Sequence, residues 1–231
     1  MKTNTPSLFF YFIACALVVF FKITEDDSLV LYTKSIIVPL IFMYYLITNN
    51  YKINWTKGLV FLFCFIGDIF NLLQFNDSGL GALLSFMLVY VLLLKLAVDD
   101  FKYLKLNKED CVPMLVSFFF IATICTSILS LNFERMKLDF SLYILYGITL
   151  SLLCFFSIIN YLKKVNYTFF CLIVMCGCFM ISDVFFVINK FYLNLYAFSF
   201  IAVFVQVFSY FFMATYFIEN DRYHQRQRVK L

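Results

Sequence analysis

The sequence has few of the residues on which soluble domains depend. Only 14% of its 231 residues are charged, and it contains six glycines, three prolines and one tryptophan. Soluble domains carry about a quarter charged residues. The hydrophobic fraction is 64% and the mean hydropathy is +0.91. This composition excludes a soluble globular domain and predicts a polytopic membrane protein.

Histidine and paired cysteine motifs are also nearly absent. The single histidine, His224, lies close to the C-terminus, and the eight cysteines include no CxxC pair. Zinc sites need cysteine and histidine at defined spacings. We therefore expect no metal, no cofactor and no disulfide framework, and we interpret the cysteines as small packing residues.

Long apolar runs dominate what the sequence does contain. A helix needs roughly 17–25 apolar residues to cross a bilayer. The chain has eight such or nearly such runs, which predict an all-α transmembrane helical bundle, in a single domain over residues 1–231. The predicted helices are Leu8–Phe21, Thr33–Ile47, Leu59–Phe75, Leu80–Val98, Val112–Leu131, Phe140–Tyr161, Tyr167–Ile188 and Tyr196–Ile218, followed by a tail over residues 219–231.

Lysine and arginine are distributed unequally between the two sides predicted for this bundle. With the N-terminus inside, most of them fall in the inner loops and in the C-terminal tail. Because positive charge favours the cytoplasmic side, we expect both termini in the cytoplasm, in a bacterial inner (plasma) membrane. The net charge of +4 is interpreted as this topology signal, and we expect no nucleic-acid partner.

Two aspartates stand inside predicted spans. Asp68 follows Gly67 in the third helix and Asp183 follows Ser182 in the seventh, and the flanking residues align at one constant offset. A charged aspartate at the bilayer centre costs roughly 2.5–3.5 kcal/mol on insertion scales, so such a residue is a functional candidate by default. The repeated context also suggests two parallel four-helix halves.

Other polar residues reach a similar predicted depth and are expected to bind substrate beside Asp68 and Asp183. Two carboxyl groups in an apolar cavity favour one protonated acid beside one ionised carboxylate, which suits acid/base hydrolysis of a C–O bond. The alternative is that each aspartate caps a broken helix or bonds a hydroxyl. Lys34 is predicted to meet a phosphate or, alternatively, to extend toward the headgroups. The candidate binding residues are Lys34, Asn71, Gln74, Tyr90, Ser182, Asn189, Gln206 and Tyr210.

Short motifs follow one another along the chain in a fixed order. They are Thr33-Lys34, Pro39-Leu40, Gly67-Asp68, Gly81, Tyr90, Ser182-Asp183, Phe191 and Tyr216-Phe217-Ile218. In their order and spacing they resemble the lysoplasmalogenase-like (YhhN) membrane family, from the second to the eighth predicted helix. The resemblance implies an eight-helix, metal-independent hydrolase that cleaves the vinyl-ether bond of lysoplasmalogens to a fatty aldehyde and a glycerophospho-ethanolamine or -choline. Its partners would be membrane lipids and a lysophospholipid substrate.

The resemblance also implies two catalytic roles for the aspartates, without showing which aspartate has which role. One aspartate would protonate the enol ether at carbon, and the other would stabilise the cation or activate water. Two positions depart from the family's pattern: Met87 stands where relatives often carry histidine, and Thr215 where glutamine is expected. The alternative function is a membrane carrier or lipid transporter with an intramembrane carboxylate site.

Overall fold

The computed structural model describes residues 5–73, 78–102, 111–130, 140–193 and 195–228. These residues form eight helices and no strand, which confirms the predicted all-α bundle. The helices are α1 Thr5–Ile23, α2 Asp27–Thr48, α3 Trp55–Leu72, α4 Ser78–Lys102, α5 Cys111–Leu129, α6 Phe140–Lys163, α7 Tyr167–Phe191 and α8 Tyr196–Arg228.

The helices have the length and surface of membrane spans. Seven carry apolar stretches of 18 or more residues, and α5 carries a shorter one, Val112–Ser127. Large aromatic side chains such as Phe9 and Phe119 lie exposed on the outside. An apolar exterior of this kind suits contact with lipid.

Six helices form a ring. Around it, α2, α3, α4, α6, α7 and α8 each pack against the next, and α8 packs against α2. Helix α1 lies outside the ring against α2 and α8, while α5 lies outside against α6. The ring therefore divides into α2–α4 and α6–α8, with α1 and α5 in corresponding outer positions. This packing repeat agrees with the two four-helix halves suggested by the aligned aspartates.

Side-chain caps fix the start of three helices. Asp26 Oδ1 accepts a hydrogen bond from Leu29 N at the start of α2, and Asn54 and Asn166 cap α3 and α7 in the same way. Such caps satisfy backbone N–H groups that have no partner within the helix. Helix α3 consequently begins before the predicted Leu59.

The prediction of a tail from residue 219 is wrong, because α8 continues to Arg228. No glycine or proline follows Ile218, and Glu219 and the arginines and glutamines there are good helix formers. Glu219 and Arg222 also form an ion pair one turn apart. Asn220 is buried against the bundle, which anchors the extension.

Two glycines let α3 and α4 approach closely. A Cβ atom on Gly67 would lie 2.8 Å from the ring of Phe86, and one on Gly81 would lie 2.8 Å from the ring of Phe70. In each helix the glycine leaves room for a phenylalanine ring of the other helix. Both rings help to shape the cavity described next.

Candidate active site

A cavity of about 550 Å³ lies between the helices at one end of the bundle. The C-terminal ends of α1, α3 and α7 line it, together with the N-terminal parts of α2, α4, α6 and α8. Because α3 and α7 both end here, they run in the same direction, as predicted. We call this side of the bundle the cavity end and the other side the opposite end.

Asp68 is fully buried beside this cavity, within a complete set of polar partners. Lys34 Nζ lies 3.1 Å from Asp68 Oδ1. Gln206 Nε2 donates to the same oxygen at 3.0 Å, and the Tyr210 hydroxyl donates to Oδ2 at 2.7 Å. Both oxygens of the carboxylate are therefore occupied, and one of the partners is a buried cation.

Gln206 stands between Asp68 and the cavity. Its Oε1 accepts from Lys34 Nζ at 2.8 Å, and its Nε2 also donates to the Tyr210 hydroxyl at 3.1 Å. The side chains of Lys34 and Gln206 line the cavity, whereas Asp68 does not. The carboxylate can therefore influence a ligand only through the groups it holds in place.

Asp183 faces the cavity and has a different kind of partner. The hydroxyls of Tyr90 and Tyr146 each donate to Asp183 Oδ2 at 2.6 Å, and the two hydroxyl oxygens are 3.3 Å apart. Among the described residues, none donates to Oδ1 and no cation pairs with this carboxyl. Asp183 Oδ1 is thus the carboxyl oxygen that remains for a ligand.

The two aspartates occupy equivalent places in the ring. Asp68 on α3 is held from α2 and α8, and Asp183 on α7 is held from α6 and α4. The repeat that relates α3 to α7 also relates α2 to α6 and α8 to α4. The same architecture therefore carries an ion-paired carboxylate in one half and a hydroxyl-bonded, cavity-facing carboxyl in the other.

The remaining predicted binding residues divide into three groups. Asn71, Ser182 and Asn189 line the cavity. Two of these also support the α7–α8 pair, since Ser182 Oγ donates to a carbonyl of α8 at 2.9 Å and Asn189 Oδ1 accepts from the backbone before α8 at 3.0 Å. Tyr90 is fully buried behind Asp183. Gln74 lies outside the described residues, and Met87 is not part of the cavity wall.

Sequence reasoning missed three residues of this site. Tyr146 bonds Asp183, and Lys22 and Lys190 line the cavity. No sequence pattern distinguishes Tyr146 from the other 15 tyrosines of the chain. The predicted helix bounds leave both lysines just outside the membrane spans, although each lies in the last turn of an apolar helix that ends beside the cavity.

A second buried polar network lies at the opposite end. Lys57 Nζ lies 2.8 Å from Asp221 Oδ1 and 2.9 Å from Asn220 Oδ1. The Asn220 amide donates to Asp100 at 2.9 Å, and the Tyr216 hydroxyl donates to the same carboxylate at 2.7 Å. The network joins α3 and α4 to α8. The predicted helix bounds leave Lys57 and Asp100 outside the spans, yet both are almost completely buried.

Fold and site together define a helical membrane protein with a buried ion-paired aspartate and a second aspartate open to a cavity. The family model for the YhhN family matches residues 29–220. The chain therefore belongs to the YhhN family, which includes lysoplasmalogenases. The matched range contains both aspartates and all of their partners. No curated protein and no solved structure matches the chain.

Proposed function

We propose that this protein is a membrane hydrolase that cleaves the vinyl-ether bond of lysoplasmalogen to a fatty aldehyde and a glycerophospho-ethanolamine or -choline. Family membership supports the reaction class, since the family includes lysoplasmalogenases. The observation that carries the proposal is the contrast between the two carboxyls. Asp183 presents one oxygen to the cavity without a cation, while Asp68 is buried against Lys34.

In this proposal Asp183 is the general acid. Burial without a countercharge favours a neutral carboxyl group over an ionised one. The two tyrosine hydroxyls donate to Oδ2, so the acid proton lies on Oδ1, which faces the substrate. Transfer of that proton to the outer vinyl carbon produces an oxocarbenium ion, which the newly ionised Asp183 stabilises at close range.

The same carboxylate then completes the reaction. Water adds to the oxocarbenium carbon and returns one proton to Asp183, which regenerates the acid. The resulting hemiacetal loses its hydroxyl proton to the glycerol oxygen, and the C–O bond breaks. One water is consumed, and the products are an aldehyde and a glycerol hydroxyl. No oxidant or reductant is required.

Asp68 is a positioning residue in this scheme. Its carboxylate is fully buried and has no contact with the cavity. It pairs with Lys34, and both groups fix the orientation of the Gln206 amide. We infer that this fixed amide orients the substrate or the attacking water beside Asp183.

The cavity has the size and lining that a lysophospholipid headgroup requires. Small-molecule sites commonly span about 300–1,000 Å³, and this cavity is about 550 Å³. Phe70, Phe86 and Phe186 provide apolar wall beside the polar groups. An amphiphile with a polar head and one apolar chain is complementary to such a mixture.

Aldehyde release from lysoplasmalogen by the purified protein tests the proposal. We expect release by the wild type, and a loss of roughly 100-fold or more in Asp183→Asn because a general acid contributes about that factor. Asp99→Asn is the matched control, since Asp99 is an exposed carboxylate outside the cavity. The saturated alkyl lysophospholipid should yield no aldehyde. Full activity of Asp183→Asn would refute the mechanism.

A membrane carrier is the second candidate, and one observation favours it. The cavity lies at one end, while the network around Lys57 closes the bundle at the other. A carrier that alternates access needs such a closed side. Counterflow of labelled lysophospholipid in proteoliposomes, without aldehyde formation, would select this candidate over the hydrolase.

A further inference from the structure

We propose that Phe179 is a positioning residue for both carboxyl sites. Its ring packs against Tyr90, which donates to Asp183, and against Tyr210, which donates to Asp68. The ring thereby directs both hydroxyls, so that a change at this one position alters both carboxyls. The positioning itself follows from the packing, whereas its effect on turnover rests on the proposed function.

Phe179 lies in the interior of the bundle, where its side chain contacts two other helices. It is 1% exposed and precedes Asp183 on α7 by about one helical turn. Its ring centroid lies 5.5 Å from that of Tyr90 at an interplanar angle of 63°, and 6.2 Å from that of Tyr210 at 66°. Both are edge-to-face arrangements, at distances where aromatic rings attract each other. One ring on α7 thus contacts both α4 and α8.

These ring contacts determine where the two hydroxyl groups lie. Tyr90 Oη donates to Asp183 at 2.6 Å, and Tyr210 Oη donates to Asp68 at 2.7 Å. Both tyrosines are fully buried, and in a close-packed interior a ring cannot turn unless its neighbours move. Loss of the Phe179 ring would leave a space beside both tyrosines. Each hydroxyl could then move away from the carboxyl to which it donates.

The internal repeat supplies this ring from one half only. The offset that aligns Asp68 with Asp183 also aligns Cys64 with Phe179. Both residues belong to the same buried core, which receives a small side chain from α3 and a large one from α7 at equivalent positions. A single ring, contributed by the half that contains the proposed acid, therefore serves both aspartates.

Turnover by variants of Phe179 is the first test. We expect Phe179→Leu to lower kcat for lysoplasmalogen about tenfold, because one hydrogen bond to the proposed acid is no longer held in place. Phe179→Met should have the same effect, and it replaces the leucine variant if that variant does not fold. In Tyr90→Phe, which already lacks this hydroxyl, Phe179→Leu should lower kcat less than about threefold. Phe169→Leu is the matched control, since Phe169 lies on the same helix, is equally buried and packs against Tyr223.

Infrared difference spectra test the positioning without turnover. The carboxyl stretching bands of Asp183 and Asp68 are those lost in Asp183→Asn and Asp68→Asn, and their frequencies depend on the hydrogen bonds that each carboxyl accepts. We expect Phe179→Leu to shift both bands and Phe169→Leu to shift neither. In Tyr90→Phe, the addition of Phe179→Leu should not shift the Asp183 band further.

The two readouts separate this proposal from the proposed function. Shifts of both bands support the positioning role even if the wild type releases no aldehyde, and that result would refute only the hydrolase. An active wild type whose two bands are unchanged in the Phe179 variants refutes only the positioning role. A shift of one band alone would overturn the link between the two sites. An equal loss of kcat in Phe169→Leu, or a full tenfold loss in the Tyr90→Phe background, would overturn the proposal as well, because either result indicates a general loss of packing.

Discussion

Substitution of the two aspartates should separate stability from catalysis. Asp68→Asn removes the charge that faces Lys34, which is only 4% exposed. The buried ammonium is then left without a counterion. Asp183→Asn leaves no such charge, because the amide oxygen of asparagine can still accept from Tyr90 and Tyr146. We expect Asp68→Asn to destabilise the protein and Asp183→Asn mainly to inactivate it.

The magnitude follows from the contacts. Removal of one partner from a buried ion pair costs about 3–5 kcal/mol. For a chain of about this size each kcal/mol shifts Tm by roughly 2–4 °C, so Asp68→Asn should lower Tm by roughly 6–20 °C. Asp183→Asn should change stability by less than about 1 kcal/mol. The double variant Lys34→Gln/Asp68→Asn removes both charges and should recover most of the loss.

Thermal unfolding in detergent, followed with a thiol-reactive dye, provides the assay. Cys64, Cys154, Cys171 and Cys176 are buried free thiols that become reactive as the bundle opens. Equal Tm values for Asp68→Asn and the wild type would refute the reasoning, since Lys34 would then need no counterion. A double variant no more stable than Asp68→Asn would refute the pairing itself.

Three further predictions concern the surroundings of these groups. Tyr146→Phe removes one of the two donors to Asp183, the proposed general acid, and we expect aldehyde release to fall about tenfold; unchanged turnover would contradict a positioning role. Gly81→Ala displaces the ring of Phe70, so KM for lysoplasmalogen should rise, and a wild-type KM would mean that the ring relaxes away from the cavity. Lys57→Met leaves Asp221 without its cation, and we expect Tm to fall by roughly 6–20 °C; a Tm matching that of an exposed-lysine variant would argue against the network.

The helices could be predicted because membrane crossing depends on length and composition, which a single sequence displays. Their ends could not be predicted as well, because they depend on individual side chains. Asn54 and Asn166 begin α3 and α7 by accepting backbone hydrogen bonds. The continuation of α8 beyond Ile218 depends on burial of Asn220, which requires the positions of α3 and α4.

The candidate site shows a similar division. Asp68 and Asp183 stand out in the sequence because a carboxylate is costly inside an apolar helix. Their partners come from helices that are distant in the chain, so the pairs depend on the order of helices around the ring. Lys34 was predicted to meet a phosphate, yet it contacts Asp68. Tyr146 was missed because a tyrosine in an apolar helix gives no signal of what it bonds.

Charges near predicted helix ends are the least certain part of a sequence interpretation. Lys57 and Asp100 lie where headgroup contacts are expected, and sequence alone favours solvent exposure for both. In the structure each meets a polar partner on the extended α8. A buried lysine is tolerated only when such partners are present. The error in the end of α8 therefore caused the error in these two residues.

The internal repeat explains how one fold can hold two carboxyls in different states. Both aspartates are held by side chains from the two corresponding ring helices, so the repeat fixes their positions but not the kind of partner. In one half, α2 supplies a lysine and Gln206 covers the carboxylate; in the other, the partners are hydroxyls and the carboxyl faces the cavity. A cation at both places would leave two ionised carboxylates and no acid. The asymmetry between Lys34 and the tyrosines is therefore the feature on which the proposed acid catalysis at Asp183 depends.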